Sequence, residues 1–300
     1  MSSPNVAASV RQRLLNLAQA NGWEFNRVLT RYGVERTLCR LAASPFGDRF
    51  VLKGATLFTV WHGAPHRATK DLDLLGLRRR SLDELMTIFR QIVATLVEPD
   101  GLVFGEVRAE PIRAAMEEGG IRVILRAELA SARLTVQVDV GFGDATVPPP
   151  VQVEFPTLLD TPKPKLLAYP PETVIAEKLE AMVRLGLGNS RMKDFFDLWH
   201  LSHSYQFQGD VLADAIRATF AARSTPLPTG PVTALTADFI EDRGKQMQWN
   251  AFVRQAAVVE HTPELPEVGR CLREFLEPVL RALQIKSTSP GRWEPSKGWQ

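Results

Sequence analysis

One stretch, residues 50–76, limits what this chain can fold into more than any other part of the sequence. It opens with the apolar run 50–52, which stops at Lys53-Gly54, a pattern typical of a buried strand that ends in a tight turn. Residues 55–62 then predict a helix that begins directly after the glycine. The stretch closes on residues 70–74, where polar and apolar side chains alternate as in a half-buried strand.

The second of these strands carries two carboxylates on one face. Because the side-chain period of a strand is two, Asp71 and Asp73 share a face, while Leu72 and Leu74 share the other. Two carboxylates about 7 Å apart along one strand repel each other. A bound divalent cation would remove that repulsion, so we predict a metal site here.

A third carboxylate is expected near this pair. Strands are predicted at residues 102–111, 121–129 and 134–140, and the last of them places Asp139 on its polar face. With the two earlier aspartates on an adjacent strand, it could hold two Mg²⁺ ions, which favour carboxylate oxygens and substrate phosphates. Two such ions can activate an attacking hydroxyl and neutralise a leaving pyrophosphate. An Asp-x-Asp pair by itself also occurs in glycosyltransferases that use nucleotide sugars.

The glycine turn between the first strand and the helix is a candidate phosphate site. A turn that feeds a helix offers backbone N–H groups and the positive helix end to an anion, and a hydroxyl from Thr56 can add to them. The predicted nucleotide-binding residues here are Lys53, Gly54, Ala55 and Thr56.

The chain before this stretch is predicted to be helical, at residues 6–20, 25–32 and 34–43, with a break at Gly33. The second and third of these helices each carry two arginines that are four residues apart and therefore share a face of the helix. Either a solvated helix surface or a path for a polyanion explains them: Arg27, Arg31, Arg36 and Arg40.

Two helices dominate the sequence after residue 160. The first, at 172–187, follows Pro170-Pro171, and Lys178 lies beside its apolar stripe. The second, at 192–203, carries Asp194 and Asp197 as neighbours. They suggest a polar cluster with Lys178, and a plain interhelix salt bridge explains the pattern equally well. His200 and His203 in the second helix have weak metal-ligand spacing and are taken as ordinary helix residues.

Proline-rich breaks suggest the domain organisation. They fall at residues 147–150 and 161–171. We therefore expect a core with N-terminal helices at 1–160, a helical domain at 161–286 that completes the active site, and a disordered tail at 287–300.

Composition excludes some classes of protein. A formal charge of only +2 argues against binding nucleic acid over the whole surface, although Arg78, Arg79 and Arg80 form a local basic run. The chain has no apolar run near 18 residues and no signal peptide, and it has only two cysteines, Cys39 and Cys271. We expect a cytoplasmic protein with no membrane partner and with both cysteines in the core.

Four segments together resemble the AbiEii/AbiGii toxin family, the nucleotidyltransferase toxins of type IV toxin–antitoxin systems that include the MenT-like toxins. They are Phe50-Val-Leu-Lys-Gly-Ala-Thr-Leu-Phe58, Arg67-Ala-Thr-Lys-Asp-Leu-Asp-Leu74, Ile175-Ala-Glu-Lys178 and Arg191-Met-Lys-Asp-Phe-Phe-Asp-Leu198. The resemblance covers roughly residues 5–205. It implies an α/β fold with a polymerase-β-like nucleotidyltransferase core, in which a mixed sheet is joined by N-terminal helices and a C-terminal helical domain.

Matched position by position, the resemblance makes Asp71 and Asp73 metal ligands, Lys178 an essential lysine and Asp194 the last essential acid. Ala55 departs from the second glycine of many relatives. Some MenT-like toxins are silenced by phosphorylation at the hydroxyl that matches Thr69, where a phosphate would add about −2 charge beside the carboxylates.

The function that follows is Mg²⁺-dependent transfer of a nucleoside monophosphate from an NTP to an RNA acceptor, with the 3′ end of tRNA favoured. The resemblance also implies a cognate antitoxin protein. One alternative is nucleotidyl transfer to a protein or a small molecule. Another is an inactive protein that only binds NTP or RNA, although a binding module needs no matched carboxylates.

Overall fold

The structure is a computed structural model, and it describes residues 5–63, 71–112, 119–256 and 262–300. The chain divides into two compact units. The first contains the chain up to Gly143 together with Val151–Ala168, and the second contains Asp144–Pro150 and Tyr169–Gln300. The predicted boundary at residue 160 is therefore wrong, because the chain enters the second unit at Asp144, returns, and leaves the first unit only at Ala168.

The first unit is built on a seven-stranded mixed sheet in the order β3-β4-β5-β2-β1-β7-β6. The β2–β5 and β1–β7 pairs are parallel and the other pairs are antiparallel. The predicted α/β class is thus confirmed. The strands are β1 (Phe50–Lys53), β2 (Asp71–Gly76), β3 (Leu102–Pro111), β4 (Ile121–Leu129), β5 (Ala132–Phe142), β6 (Val151–Glu154) and β7 (Lys165–Ala168).

One face of this sheet is apolar and carries helices. The helices of this unit are α1 (Val6–Asn21), α2 (Phe25–Ala43), the short α3 (Leu57–His62) and α4 (Leu82–Ala94), and α1, α2 and α4 contact the strands. Leu14 of α1 and Tyr32 of α2 pack with Leu129 and Leu134 of the sheet in one buried cluster. Burying such side chains stabilises the unit by about 1.5–3 kcal/mol each.

Helix α2 is continuous, although the sequence predicted a break at Gly33. A Cβ at Gly33 would lie 2.8 Å from Val136 Cγ2 of β5. This glycine therefore allows close approach of helix and sheet, and the sequence gives no sign of that because a helix-breaking glycine and a packing glycine look alike.

Two of the four arginines on α2 fit neither of the predicted roles, the solvated helix surface or the path for a polyanion. Arg36 and Arg40 are buried and both bind the buried carboxylate of Asp100, with Arg36 Nε and Arg40 Nη1 at 2.8 and 2.6 Å from its Oδ2. Both charges therefore face a buried carboxylate and not solvent. Arg27 is exposed, as the solvated-surface reading expects, and pairs with Glu24.

The second unit is mainly helical. Its helices are α5 (Pro171–Leu185), α6 (Met192–Ser204), α7 (Gly209–Ala222), α8 (Ala237–Ile240), α9 (Arg243–Ala256) and α10 (Leu265–Ile285). Helix α5 begins at a proline, as predicted, because the first helical position needs no backbone N–H. Ile175, Leu179 and Met182 of its apolar stripe are fully buried. No helix in the described part of the chain is long and apolar enough to cross a membrane.

The tail predicted to be disordered is instead folded. It forms β9 (Arg292–Glu294) and β10 (Gly298–Trp299), which join β8 (Phe207–Gln208) in a three-stranded sheet. Trp293 is buried, its ring centroid lies 4.8 Å from that of Phe275, and its Nε1 donates to Ser202 O at 2.7 Å. The Ser, Pro and Gly content suggested disorder, but the two tryptophans bury enough apolar surface to fix the segment.

Candidate active site

Strand β2 carries the predicted aspartates in the middle of the seven-stranded sheet. Asp71 and Asp73 are half-buried on one face, and Leu72 and Leu74 are buried on the other, as the period of two predicts. Asp73 is paired with β1 on one side and with β5 on the other, and Asp71 is paired with β5, so strand pairing fixes the backbone that positions both carboxylates.

The glycine turn lies directly against one of these carboxylates. Gly54 follows the last residue of β1 and has a φ of +72°, which L side chains rarely adopt. A Cβ at this position would lie 2.7 Å from Asp73 Cγ and would overlap the carboxylate. The sequence separates these two motifs by nineteen residues, and the antiparallel pairing of Lys53 with Asp73 brings them together.

Thr56 is the second distinctive group of the turn. Residues Gly54–Thr56 form a 3₁₀ turn that leads into α3. The Thr56 side chain is buried, and its Oγ1 makes no hydrogen bond to any described residue. A buried hydroxyl without a partner costs free energy, so this group fits the predicted contact with a ligand oxygen.

Five charged residues form one row across the sheet. Register pairs Lys53 of β1 with Asp73, Asp73 with Asp139 of β5, Asp139 with Arg122 of β4, and Arg122 with Glu110 of β3. Directly paired residues project from the same face of a sheet. The prediction that Asp139 stands beside Asp73 on an adjacent strand is therefore confirmed, and Lys53 and Arg122 flank this carboxylate pair.

Asp139 is held by an arginine that the sequence analysis missed. Arg122 Nε and Nη2 donate to Asp139 Oδ1 and Oδ2, both at 2.9 Å. This hydrogen bond, and then the nearby charges of Asp139 and Asp71, raise the pKa of the Arg122 guanidinium above its usual value. Only the register of β4 against β5 could have revealed the pair from the sequence.

Of the three carboxylates predicted to bind a divalent cation, two are suitably placed in the structure. Asp71 and Asp73 offer hard carboxylate oxygens on one face, as Mg²⁺ prefers. Both oxygens of Asp139 are engaged by Arg122. Within the described ranges, no group of three His, Cys, Asp or Glu side chains is arranged to hold one metal ion.

In the second unit, Lys178 binds both aspartates of the next helix. Its Nζ lies 2.8 Å from Asp194 Oδ1 and 2.7 Å from Asp197 Oδ2. Both carboxylates are completely buried, while 12% of the lysine side chain is exposed. Burial alone would raise the pKa of Asp194, but the charges of Lys178 and Arg191 hold it below its usual value. The predicted polar cluster and the interhelix salt bridge are thus the same structure.

Two further residues position this cluster and were not foreseen. Arg191 Nε contacts Asp194 Oδ2 at 2.5 Å from the start of α6. Asn189 is fully buried, and its Oδ1 accepts from the Arg191 N–H at 2.8 Å while its carbonyl accepts from Lys245 Nζ at 2.7 Å. The Arg191-x-x-Asp194 spacing on a helix was the available signal.

The histidines and cysteines that the sequence analysis singled out lie outside the candidate site. His203 Nδ1 lies 2.8 Å from Trp199 O, and the ring of His200 stacks on Phe196, so both are ordinary helix residues. Both cysteines are free thiols; Cys39 is buried, as expected, and Cys271 is only half-buried. Thr69 lies outside the described residues.

Comparison with known proteins places the chain among nucleotidyltransferases. A family model for the nucleotidyl transferase AbiEii toxin of type IV toxin–antitoxin systems matches residues 36–274. No curated protein matches significantly. Two solved Helicobacter pylori structures are similar. JHP933 is 17% identical over 85% of this chain and 90% of its own, with a TM-score of 0.48. A candidate nucleotidyltransferase is 18% identical over 86% of this chain and 95% of its own, with a TM-score of 0.47.

Proposed function

This chain belongs to the AbiEii nucleotidyl transferase toxin family of type IV toxin–antitoxin systems, and from that premise we propose that it transfers a nucleoside monophosphate from an NTP to an RNA acceptor in a Mg²⁺-dependent reaction. The 3′ end of tRNA is the acceptor we favour. The family implies a nucleotide substrate, a divalent metal and an antitoxin partner.

The contact between the glycine turn and Asp73 carries this proposal. Gly54 lies against the Asp73 carboxylate, and the buried hydroxyl of Thr56 belongs to the same turn. A phosphate bound by the turn would therefore lie next to the residues that would hold the cation. Acyl or hydride transfer has no use for this juxtaposition.

Each group has a separate task in the proposed reaction. Asp71 and Asp73 would hold the cation, which supplies positive charge for the attacking hydroxyl and the leaving pyrophosphate. Gly54, Ala55 and Thr56, with Lys53 beside them, would orient the triphosphate. Asp139 is the proposed third carboxylate.

We further propose that the second unit contributes Lys178 and Asp194 to nucleotide binding and transfer. Lys178 is held in position by two buried carboxylates, so its ammonium is oriented before any substrate arrives. A fixed positive charge stabilises a triphosphate most as pyrophosphate leaves.

An RNA acceptor is favoured by the basic run that follows β2. Arg78 and Arg79 are exposed and Arg80 is half-buried, just beyond Gly76. They lie at the end of the strand opposite to Asp71, roughly 15 Å or more away along it. An extended phosphate backbone can span that distance, whereas a small-molecule acceptor cannot.

The decisive experiment is incubation of the purified protein with each radiolabelled NTP, total RNA and Mg²⁺, followed by separation of RNA, protein and small molecules. We expect label in the RNA fraction, concentrated in tRNA. Asp71→Ala and Asp73→Ala should abolish labelling and still melt cooperatively, since removing one carboxylate relieves repulsion in the metal-free protein. Label in protein or in a small molecule would contradict the acceptor, and an active variant would contradict the metal site.

Regulation at Thr69 remains a separate proposal that rests on the family resemblance. A phosphate there would bring about −2 charge to the residues before Asp71. Thr69→Glu should inactivate transfer in the same assay and Thr69→Ser should not, and an active Thr69→Glu protein would contradict this regulation.

A further inference from the structure

Arg122 neutralises a carboxylate that the proposed metal would also need. In the row across the sheet, its guanidinium grips both oxygens of Asp139, whose neighbour on the other side is Asp73. The proposed cation and Arg122 would thus compete for the same oxygens of Asp139. A carboxylate cannot offer its in-plane lone pairs to a bidentate guanidinium and to a metal at full strength together.

The Arg122–Asp139 pair is accessible enough to open. The Arg122 side chain is 32% exposed and the Asp139 side chain 18% exposed, whereas the structural pair Arg36–Asp100 in the same unit is 3% and 4% exposed. Breaking the half-exposed pair lets water solvate both groups, so it costs far less than breaking the buried one.

An alternative partner for the guanidinium stands next in the row. Glu110 of β3 pairs with Arg122 in register and is exposed, and its charge acts on Arg122. Cross-strand neighbours on one face lie within reach of a long side chain. Arg122 can therefore leave Asp139 without losing an anionic neighbour.

We propose that Arg122 is a positioning residue that holds Asp139 while the protein is free of metal and yields it to the divalent cation when the metal binds. The inference rests on the proposed function, because it needs Asp139 to be a metal ligand. Its consequence is competition: the wild-type protein binds the cation more weakly than it would without Arg122, and its metal-free form is protected from the repulsion between Asp73 and Asp139.

The test is titration of the full chain with Mn²⁺ by calorimetry, comparing wild type with Arg122→Gln. We expect the variant to bind Mn²⁺ roughly three- to tenfold more tightly, because a hydrogen-bonded charge that competes for the ligand is gone. We also expect its melting temperature to fall in the metal-free protein and to recover in saturating Mn²⁺. Neither readout depends on transfer activity.

Arg126→Gln is the matched control. Arg126 lies four residues along β4, hence on the same face, and it donates to Thr135 Oγ1 at 2.6 Å rather than to a carboxylate. The substitution Arg126→Gln removes the same charge from the same strand. It should leave the Mn²⁺ affinity within about twofold of wild type, since the exposed charge of Arg126 is screened. In an Asp139→Asn background, Arg122→Gln should have no further effect on affinity.

The outcomes separate this inference from the proposed function. Unchanged or weaker Mn²⁺ binding in Arg122→Gln, while wild type binds Mn²⁺ and transfers nucleotides, overturns the role of Arg122 alone. A wild-type protein that transfers nucleotides but needs no divalent cation overturns both the metal site and this inference. If Arg122→Gln does not fold, Arg122→Lys keeps the charge and loses the fork, and it must also bind Mn²⁺ more tightly for the inference to stand.

Discussion

At the scale of single residues, Gly54 is where backbone conformation and the proposed chemistry meet. Its positive φ lets β1 turn into α3, and its missing side chain leaves room for the Asp73 carboxylate. Gly63, at the end of α3, has nearly the same φ of +73°, but no atom of the described residues lies within 4 Å of where its Cβ would be. The two glycines therefore share a positive φ and differ in their contact with Asp73.

We predict that Gly54→Ala and Gly63→Ala both lose about 1–2 kcal/mol of stability from the left-handed backbone. Gly54→Ala should in addition displace Asp73, and misplacing a reacting group by about 1 Å costs on the order of 10²-fold in rate. Thermal unfolding and nucleotide incorporation measure the two effects. Equal transfer rates in the two variants would show that the contact with Asp73 has no catalytic meaning.

Lys178 requires a different test from the one its sequence suggests. If Lys178 meets the triphosphate and not a permanent salt bridge, Lys178→Ala should melt close to wild type and lose at least about a hundredfold in transfer. The structure contradicts the first half, because removal of the lysine leaves two buried aspartates facing each other. Loss of one partner from a buried ion pair typically costs about 3–5 kcal/mol.

We therefore predict that Lys178→Met is strongly destabilised and that Lys178→Met with Asp197→Asn recovers most of the lost melting temperature, since one charge of each sign is removed. The double variant should still lose about 10²–10³-fold in transfer. Asp197→Asn alone, which keeps Lys178 on Asp194, is the control and should retain far more transfer. A folded double variant with near wild-type transfer would make Lys178 purely structural.

How far the sequence predicts the site depends on the range of the interactions involved. Asp71 and Asp73 follow from a strand period, which is local. Their approach to Gly54 and to Asp139 follows from strand pairing, and the pairing partners of a strand are not written in its own residues. Arg122 was missed for that reason, since Asp139 lies 17 positions away and on another strand.

At the scale of elements, α2 shows how a charged helix becomes part of a core. Arg36 and Arg40 are one turn apart and share Asp100, which precedes β3. Tyr32, one turn earlier, donates its hydroxyl to the carbonyl of Asp100 at 2.8 Å. The helix is thereby fixed to the segment that leads into β3. A row of arginines four apart looks the same in a sequence whether it faces water or a buried carboxylate.

We predict that Asp100→Asn destabilises the protein by about 3–5 kcal/mol, because two buried guanidinium groups lose the charged carboxylate that both bind. Glu24→Gln breaks the exposed Arg27–Glu24 pair of the same helix, where the side chains are 51% and 59% exposed, and should cost less than about 1 kcal/mol. Denaturant unfolding measures both. A small loss in Asp100→Asn would mean that water reaches the arginines.

At the scale of the whole molecule, a formal charge of +2 requires that any RNA contact be local. The exposed arginines beyond β2 are the proposed contact. Each phosphate contact contributes about one unit to the slope of log affinity against log salt concentration.

We predict that tRNA affinity falls steeply between about 50 and 200 mM salt, and that replacing Arg78, Arg79 and Arg80 with alanine reduces the slope by about two to three. Arg133→Ala, at a side chain that is 91% exposed near the start of β5, is the control and should leave the slope unchanged. Filter binding over a salt series measures it. Binding that is indifferent to salt would point to another class of acceptor.

Most of the large-scale organisation was readable from local patterns. The strands at 102–111, 121–129 and 134–140, and the helices at 172–187 and 192–203, lie close to their predicted bounds because their periodicity is long. The folded tail and the boundary between the units could not be predicted in this way, because both depend on contacts that are distant in sequence. Trp293 packs on Phe275, and β7 pairs with β1.

The strand β7 makes the toxin hard to divide into working halves. The chain passes between the two units three times, after Gly143, Pro150 and Ala168. A gene cut at codon 160 would give an N-terminal fragment without β7. In the sheet, β7 pairs with β1, the strand that ends directly before Gly54. Premature stop codons across this region should thus give harmless products, and two-plasmid complementation of toxicity should fail when the break lies between residues 144 and 168.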